Sequence, residues 1–142
     1  MKTNPTRPIL LVEDNPMDVD LTIRAFEHNH VVNPVTVLRD GEEALTYIRN
    51  YSTQAPMPML VLLDLKLPRV DGLELLAELR KTTIFKTIPV VVLTSSSEDK
   101  DVQTAYQLGA NSYIVKPVNF ENFIEVAREI ELYWVLLNFP PL

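Results

Sequence analysis

Five short apolar runs that alternate with segments of helical periodicity constrain this chain more than any other feature. The runs are Ile9-Leu10-Leu11-Val12, Val35-Thr36-Val37-Leu38, Leu60-Val61-Leu62-Leu63, Val90-Val91-Val92-Leu93 and, more weakly, Ser112-Tyr113-Ile114-Val115. They are continuous rather than alternating, the pattern of strands covered on both faces, as in a parallel sheet. Between them the spacing predicts helices over 18–28, 40–49, 72–80, 98–108 and 121–137. Their helical stripes would run through Leu21, Ala25 and His28; Ala44, Leu45 and Ile48; Leu73, Leu76, Ala77 and Arg80, with Leu79 beside them; Val102, Ala105, Tyr106 and Leu108; and Phe123, Ala127, Ile130, Trp134 and Leu137. Pro16 suits a helix start and Gly109 a helix end, while Ser97 is the expected cap before Glu98.

A β-α unit repeated five times implies an α/β fold, a doubly wound parallel sheet with right-handed crossovers and helices on both faces. At 142 residues the chain is expected to be one domain, with a core from about residue 8 to residue 137. In open sheets of this kind ligands sit beyond the carboxyl ends of the strands, so the residue after each run matters most. The first run ends in Glu13-Asp14, the second in Arg39-Asp40, the third in Asp64, the fourth in Thr94 and the fifth in Lys116. Four of these ends would converge on one rim carrying three carboxylates, a hydroxyl and an ammonium.

That rim has an electrostatic consequence. Two carboxylates about 4 Å apart repel by roughly 4 kcal/mol at an effective dielectric of about 20. Three acids against one lysine leave a negative surplus that a hard divalent cation would relieve, and Mg²⁺ suits one or two carboxylates plus waters and a phosphate. Lys116 is a point cation suited to a phosphate oxygen, and Thr94 offers a hydroxyl donor. Each residue alone has a plainer reading: a solvated turn for Glu13-Asp14, a helix cap for Thr94 to Ser97, a simple turn for Lys116-Pro117. Their joint occurrence in this order favours a site.

Composition narrows the classes further. A net charge of −6 argues against a direct grip on nucleic acid. There is no cysteine, which removes disulfides and thiolate metal sites. No apolar run reaches the roughly 18 residues of a membrane span, and the first eight residues do not resemble a signal peptide. A cytoplasmic protein is therefore expected.

With these residues in hand, the sequence resembles the receiver domain of bacterial two-component response regulators from Pro8 to Leu137. The matching segments are Val12-Glu13-Asp14-Asn15, Asp64-Leu65-Lys66-Leu67-Pro68, Asp71-Gly72, Leu93-Thr94-Ser95 and Tyr113-Ile114-Val115-Lys116-Pro117. The loop from Tyr51 to Met59 and the tail from Leu132 look like the stand-alone regulators paired with bacterial phytochromes. The resemblance implies a flavodoxin-like sheet of order 2-1-3-4-5. It also implies that Asp64 accepts phosphate from a histidine kinase, with a bacterial phytochrome as the candidate in keeping with that subfamily. Asp14, Asp64 and the Lys66 carbonyl would ligate Mg²⁺, Glu13 would act through a coordinated water, and Lys116 would pair with Asp64 or with its phosphate. The peptide before Pro117 would be cis. Thr94 and Tyr113 would transmit the change, with Thr94 turning to the phosphate and Tyr113 moving inward. Glu13 stands where many members carry aspartate.

The protein would be a phosphoacceptor rather than an enzyme, assisting only its own transfer and dephosphorylation. With no output domain expected after Leu142, the signal would pass by binding, and a homodimer is expected through Phe123, Ile130, Tyr133, Trp134 and Leu137. A phosphohydrolase with an aspartyl intermediate would want Asp-x-Asp on the first strand, and a flavin carrier a phosphate loop where Glu13-Asp14-Asn15-Pro16 stands. His28 and His30 fall at a helix end, where a dipole interaction suits them better than catalysis. A pseudo-receiver acting only as a scaffold is the runner-up, and the complete set of site residues speaks against it.

Overall fold

The computed structural model describes residues 7–51, 56–116 and 119–131. Five parallel strands, β1 (Ile9–Val12), β2 (Val35–Leu38), β3 (Leu60–Leu63), β4 (Val90–Thr94) and β5 (Ser112–Val115), lie in the order β2-β1-β3-β4-β5. Five helices alternate with them: α1 (Pro16–His28), α2 (Gly41–Arg49), α3 (Gly72–Lys81), α4 (Asp99–Gln107) and α5 (Phe120–Ile130). This is the doubly wound sheet and the strand order expected. β1, β3 and β4 are buried along their whole length, which is why their sequences are apolar without alternation. β2 and β5 are the half-covered edges.

Because side chains alternate along a strand, the continuous runs feed two cores at once. Leu10, Val12, Val61, Leu63, Val90 and Val92 face α2, α3 and α4, against Ile48, Leu75, Leu76 and Leu79. Ile9, Leu11, Leu60, Leu62 and Val91 face α1 and α5, against Val19, Phe26, Phe123, Ala127 and Ile130.

Three sequence expectations need correction here. α1 buries Val19, Thr22, Ala25 and Phe26, with Leu21 only packed at the margin and His28 exposed. α3 buries Leu76 and Leu79 as expected and Leu75 besides, while Leu73, Ala77 and Arg80 are only half-buried. Helical periodicity in a leucine-rich stretch offers two adjacent faces, and the sheet selects one. Phe123 and Ile130, expected at a dimer interface, are buried in the core beneath α5 and are unavailable to a second copy. The exposed side of the described part of α5 is polar: Glu121, Asn122, Glu125, Arg128 and Glu129. Tyr133, Trp134 and Leu137 lie outside the described residues, as do Pro117, whose peptide bond was expected to be cis, and part of the loop from Tyr51 to Met59. No helix among the described residues is long and apolar enough to cross a membrane.

Candidate phosphoacceptor site

Strand register brings the site together. Val12 is level with Leu63, so Glu13 and Asp64 leave neighbouring strands side by side, and the Asp64 N–H donates to the Val12 carbonyl at 3.0 Å. Thr94 is level with Val115, and the Lys116 N–H donates to the Thr94 carbonyl at 2.7 Å. Carboxylates from β1 and β3, a hydroxyl from β4 and a lysine from β5 therefore share one rim, as expected from the residues after each run.

Lys116 is the centre of the arrangement. Its Nζ lies 2.6 Å from Glu13 Oε1, 2.8 Å from Asp18 Oδ2 and 2.9 Å from Asp64 Oδ2. Its side chain is 10% exposed, so these bonds stand largely out of water. The second Asp64 oxygen, Oδ1, accepts from the Lys66 N–H at 3.1 Å. Thr94 is fully buried, with its hydroxyl 3.5 Å from the Ser96 N–H. The Tyr113 hydroxyl donates to the Ser96 carbonyl at 2.8 Å, which ties the β5 aromatic to the loop that follows Thr94.

The ionisation pattern follows from these contacts. Burial pushes the Glu13 carboxyl up to about 7; the Lys116 hydrogen bond pulls it back only in part, and the Asp64 charge adds to the rise. Burial also acts to raise Asp64. There the hydrogen bonds from Lys116 and the Lys66 N–H, with the Lys116 charge and the Thr94 hydroxyl, outweigh it and hold the carboxyl below its ordinary value. Burial acts to lower Lys116, and its bonds to Asp18, Glu13 and Asp64 more than reverse this, holding the ammonium charged.

Glu13, Asp14 and Asp64 each offer a carboxylate oxygen, all within 4.8 Å of one another. Asp14 is exposed and its two companions are buried. A set of hard oxygen donors with one open side fits Mg²⁺ and leaves room for water. The loop after β3 stays tight against the site because α3 begins with Gly72, where a Cβ would come within 2.5 Å of the Asp64 carbonyl oxygen and the Leu65 Cα. That steric limit explains Asp71-Gly72 in the sequence.

Two features escaped the sequence reading. Asp18, on the first turn of α1, is a direct partner of Lys116. An acid four residues after Asp14, one turn past a helix cap at Asn15, was the available signal. The second is Ser96; the cap expected of Ser97 is not formed, since α4 follows Glu98 with no side-chain cap bond. The Ser96 hydroxyl donates to Asp101 and sits 3.4 Å from the Glu98 N–H, while Ser97 is exposed.

Residues 9–128 match the response regulator receiver domain. The chain belongs to that family. It is 43% identical over 134 residues to the probable methanogenesis regulatory protein FilR2 of Methanothrix harundinacea, covering 94% of this chain and 86% of the relative. It is 37% identical over 136 residues to the response regulator Rcp1 of Synechocystis, covering 94% and 92%. The Mn²⁺-bound crystal structure of Rcp1 superposes with a TM-score of 0.87 at 36% identity, covering 96% of this chain and 99% of that one. The phosphorylated cyanobacterial phytochrome response regulator RcpA superposes with a TM-score of 0.88 at 38% identity, with the same coverage. This receiver domain is thus a signalling protein of the two-component type.

Proposed function

We propose that Asp64 accepts a phosphoryl group from a histidine kinase in a Mg²⁺-dependent reaction. The observation that carries this reading is the convergence of Glu13, Asp18 and Asp64 on Lys116 beside an oxygen-donor set at Asp14. An Asp64 carboxylate oxygen attacks phosphorus, the P–N bond to the kinase imidazole breaks, and its electron pair returns to nitrogen. Such transfers need positioning and charge neutralisation more than acid-base chemistry. The low carboxyl pKa keeps Asp64 ionised and nucleophilic, and Lys116 is placed to pass an N–H from Asp64 to a phosphoryl oxygen. Mg²⁺ held by Asp14, Asp64 and the Lys66 carbonyl, with Glu13 acting through water, would supply the remaining positive charge. Slow hydrolysis of the aspartyl phosphate in the same site would reset the protein.

Thr94 and Tyr113 are the proposed relay. The Thr94 hydroxyl would turn to the phosphoryl group, and Tyr113, already bonded to the Ser96 carbonyl, would follow the loop that Thr94 leads. Similarity to the cyanobacterial phytochrome response regulator RcpA supports a phytochrome-type kinase as the donor; a cytoplasmic setting and output through protein binding complete the proposal, the net charge of −6 speaking against nucleic acid. A homodimer is retained as part of the proposal, now resting on Tyr133, Trp134 and Leu137; sedimentation showing only monomer at high micromolar concentration would remove it. The main test is labelling by a cognate kinase or acetyl phosphate, read by intact mass. Wild-type protein gains one phosphoryl group only with Mg²⁺, Asp64→Asn gains none, and Thr94→Ala is labelled but responds weakly at the Ser96 loop by NMR. Full labelling of Asp64→Asn would refute the assignment.

A further inference from the structure

An ammonium has three N–H donors, and in this protein each of the three meets a carboxylate. Two of those carboxylates change state when the site works. Asp64 becomes an acyl phosphate, and Glu13 belongs to the set of oxygens suited to a divalent cation. Asp18 alone lies outside both roles. It comes from α1 rather than from a strand end, and its side chain is 23% exposed. The helix does not need that carboxylate as a cap: Asn15 supplies it, its Oδ1 accepting from the Met17 and Asp18 N–H groups at 2.9 and 3.3 Å. The Asp18 carbonyl, not its carboxylate, accepts the Thr22 hydroxyl at 2.7 Å. The Asp18 carboxylate is thus free of any local duty and spends its charge on a lysine 98 residues away.

We propose that Asp18 is a positioning residue for phosphoryl transfer, holding the Lys116 ammonium at the rim while Glu13 turns to the cation and Asp64 to phosphorus. The inference rests on Asp64 being the phosphoacceptor. Without a constant partner, the four-carbon lysine stem would swing as its other bonds break, and the N–H meant for the phosphoryl oxygen would have to be placed anew in each cycle. With Asp18 in place one N–H stays anchored and another is presented to the incoming oxygen.

The test uses the full chain and acetyl phosphate at saturating Mg²⁺. Asp18→Asn keeps the shape and removes the charge. Its labelling rate should fall roughly tenfold, equivalent to about 1.4 kcal/mol of transition-state stabilisation. The Mg²⁺ concentration giving half the maximal rate should stay within about threefold of wild type, because Asp18 is not a ligand. Asp18→Glu, which restores the charge on a longer arm, should recover most of the rate. Labelling of Asp18→Asn at the wild-type rate would overturn the proposal, as would Asp18→Glu being as slow as Asp18→Asn, which would make the effect one of helix packing. Wild-type protein that takes no label would instead sink the phosphoacceptor reading itself. Labelled wild type with an unaffected Asp18→Asn sinks only the role given to Asp18.

Discussion

Arg80 and Lys116 are both cations drawn largely out of water, and they are satisfied in opposite ways. Arg80, on α3, directs its guanidinium at backbone carbonyls: Gly109 at 2.8 and 3.0 Å, Ile88 at 2.8 Å, Lys86 at 3.1 Å and Phe85 at 3.2 Å, with the Asn111 side-chain oxygen at 2.8 Å. Lys116 is held by three carboxylates. A backbone carbonyl carries no net charge to lose and cannot be phosphorylated, so the Arg80 cluster has one state. It staples α3 to the chain entering β4 and to the turn before β5. Carboxylates can be neutralised by a proton or a cation and can be phosphorylated, so the partners of Lys116 can change charge. The planar fork of arginine suits the first task and the compact ammonium the second. What distinguishes a staple from a switch here is not the buried cation but whether its partners can change charge.

The largest effect expected from breaking that comparison is on stability. Arg80→Ala strands several carbonyls that lose charge-assisted bonds, and should cost about 3 to 5 kcal/mol in a urea unfolding series. Mg²⁺ should not restore it, and the folded fraction should still accept phosphate. Lys116→Ala should do the reverse, slowing labelling by about 100-fold, the scale of losing one preorganised charge-stabilising donor. Its instability should be recovered by Mg²⁺, because a divalent cation replaces the missing positive charge among the same acids. A Lys116→Ala protein that labels normally would erase the distinction between the two clusters.

A smaller effect sharpens the picture through pH. The Glu13 carboxyl is raised from its ordinary 4.5 to about 7 in the metal-free fold, so the native state holds this proton more tightly than the unfolded chain does. Its contribution is therefore fully present below about pH 4.5 and is lost as pH rises through about 7. Asp64 has the opposite sign, its contribution lost only as pH falls below the ordinary carboxylate range, so it adds no slope between pH 5 and 7. Metal-free protein should accordingly lose on the order of 1 to 3 kcal/mol between pH 5 and 8. Glu13→Gln should flatten that dependence, as should saturating Mg²⁺. A flat profile in the wild type would show that Glu13 is not desolvated as described.

Much of this was legible in the residues, and the rest was not for identifiable reasons. Short, β-branched continuous runs such as Val90-Val91-Val92-Leu93, set between helical patterns, point to strands covered on both sides, so the parallel sheet followed, and with it the meeting of Glu13, Asp64, Thr94 and Lys116 at one rim. The helices were harder. Leu73, Leu75, Leu76 and Leu79 supply apolar residues on overlapping faces, and only the position of the sheet decides which are buried. Phe123 and Ile130 carry the inner stripe of α5, but a helix rich in apolar residues does not announce which of its faces points inward. Asp18 and Arg80 were missed for a different reason. Both reach their partners through side chains that leave the helix and end near residues distant in sequence, Lys116 in one case and Gly109 in the other. Periodicity places a Cα on a face and says nothing of where a long polar side chain ends.

The difference between staple and switch can be observed directly in a crystal structure of the protein with Mg²⁺ and beryllofluoride, which mimics a phosphoryl group on a carboxylate. The expected result has beryllium bonded to an Asp64 carboxylate oxygen, the Lys116 Nζ moved from Asp64 Oδ2 to a fluorine atom while still bonded to Asp18, and all of the Arg80 bonds unchanged. A structure in which Lys116 keeps its bond to Asp64 Oδ2, or in which the Arg80 cluster rearranges instead, would contradict it.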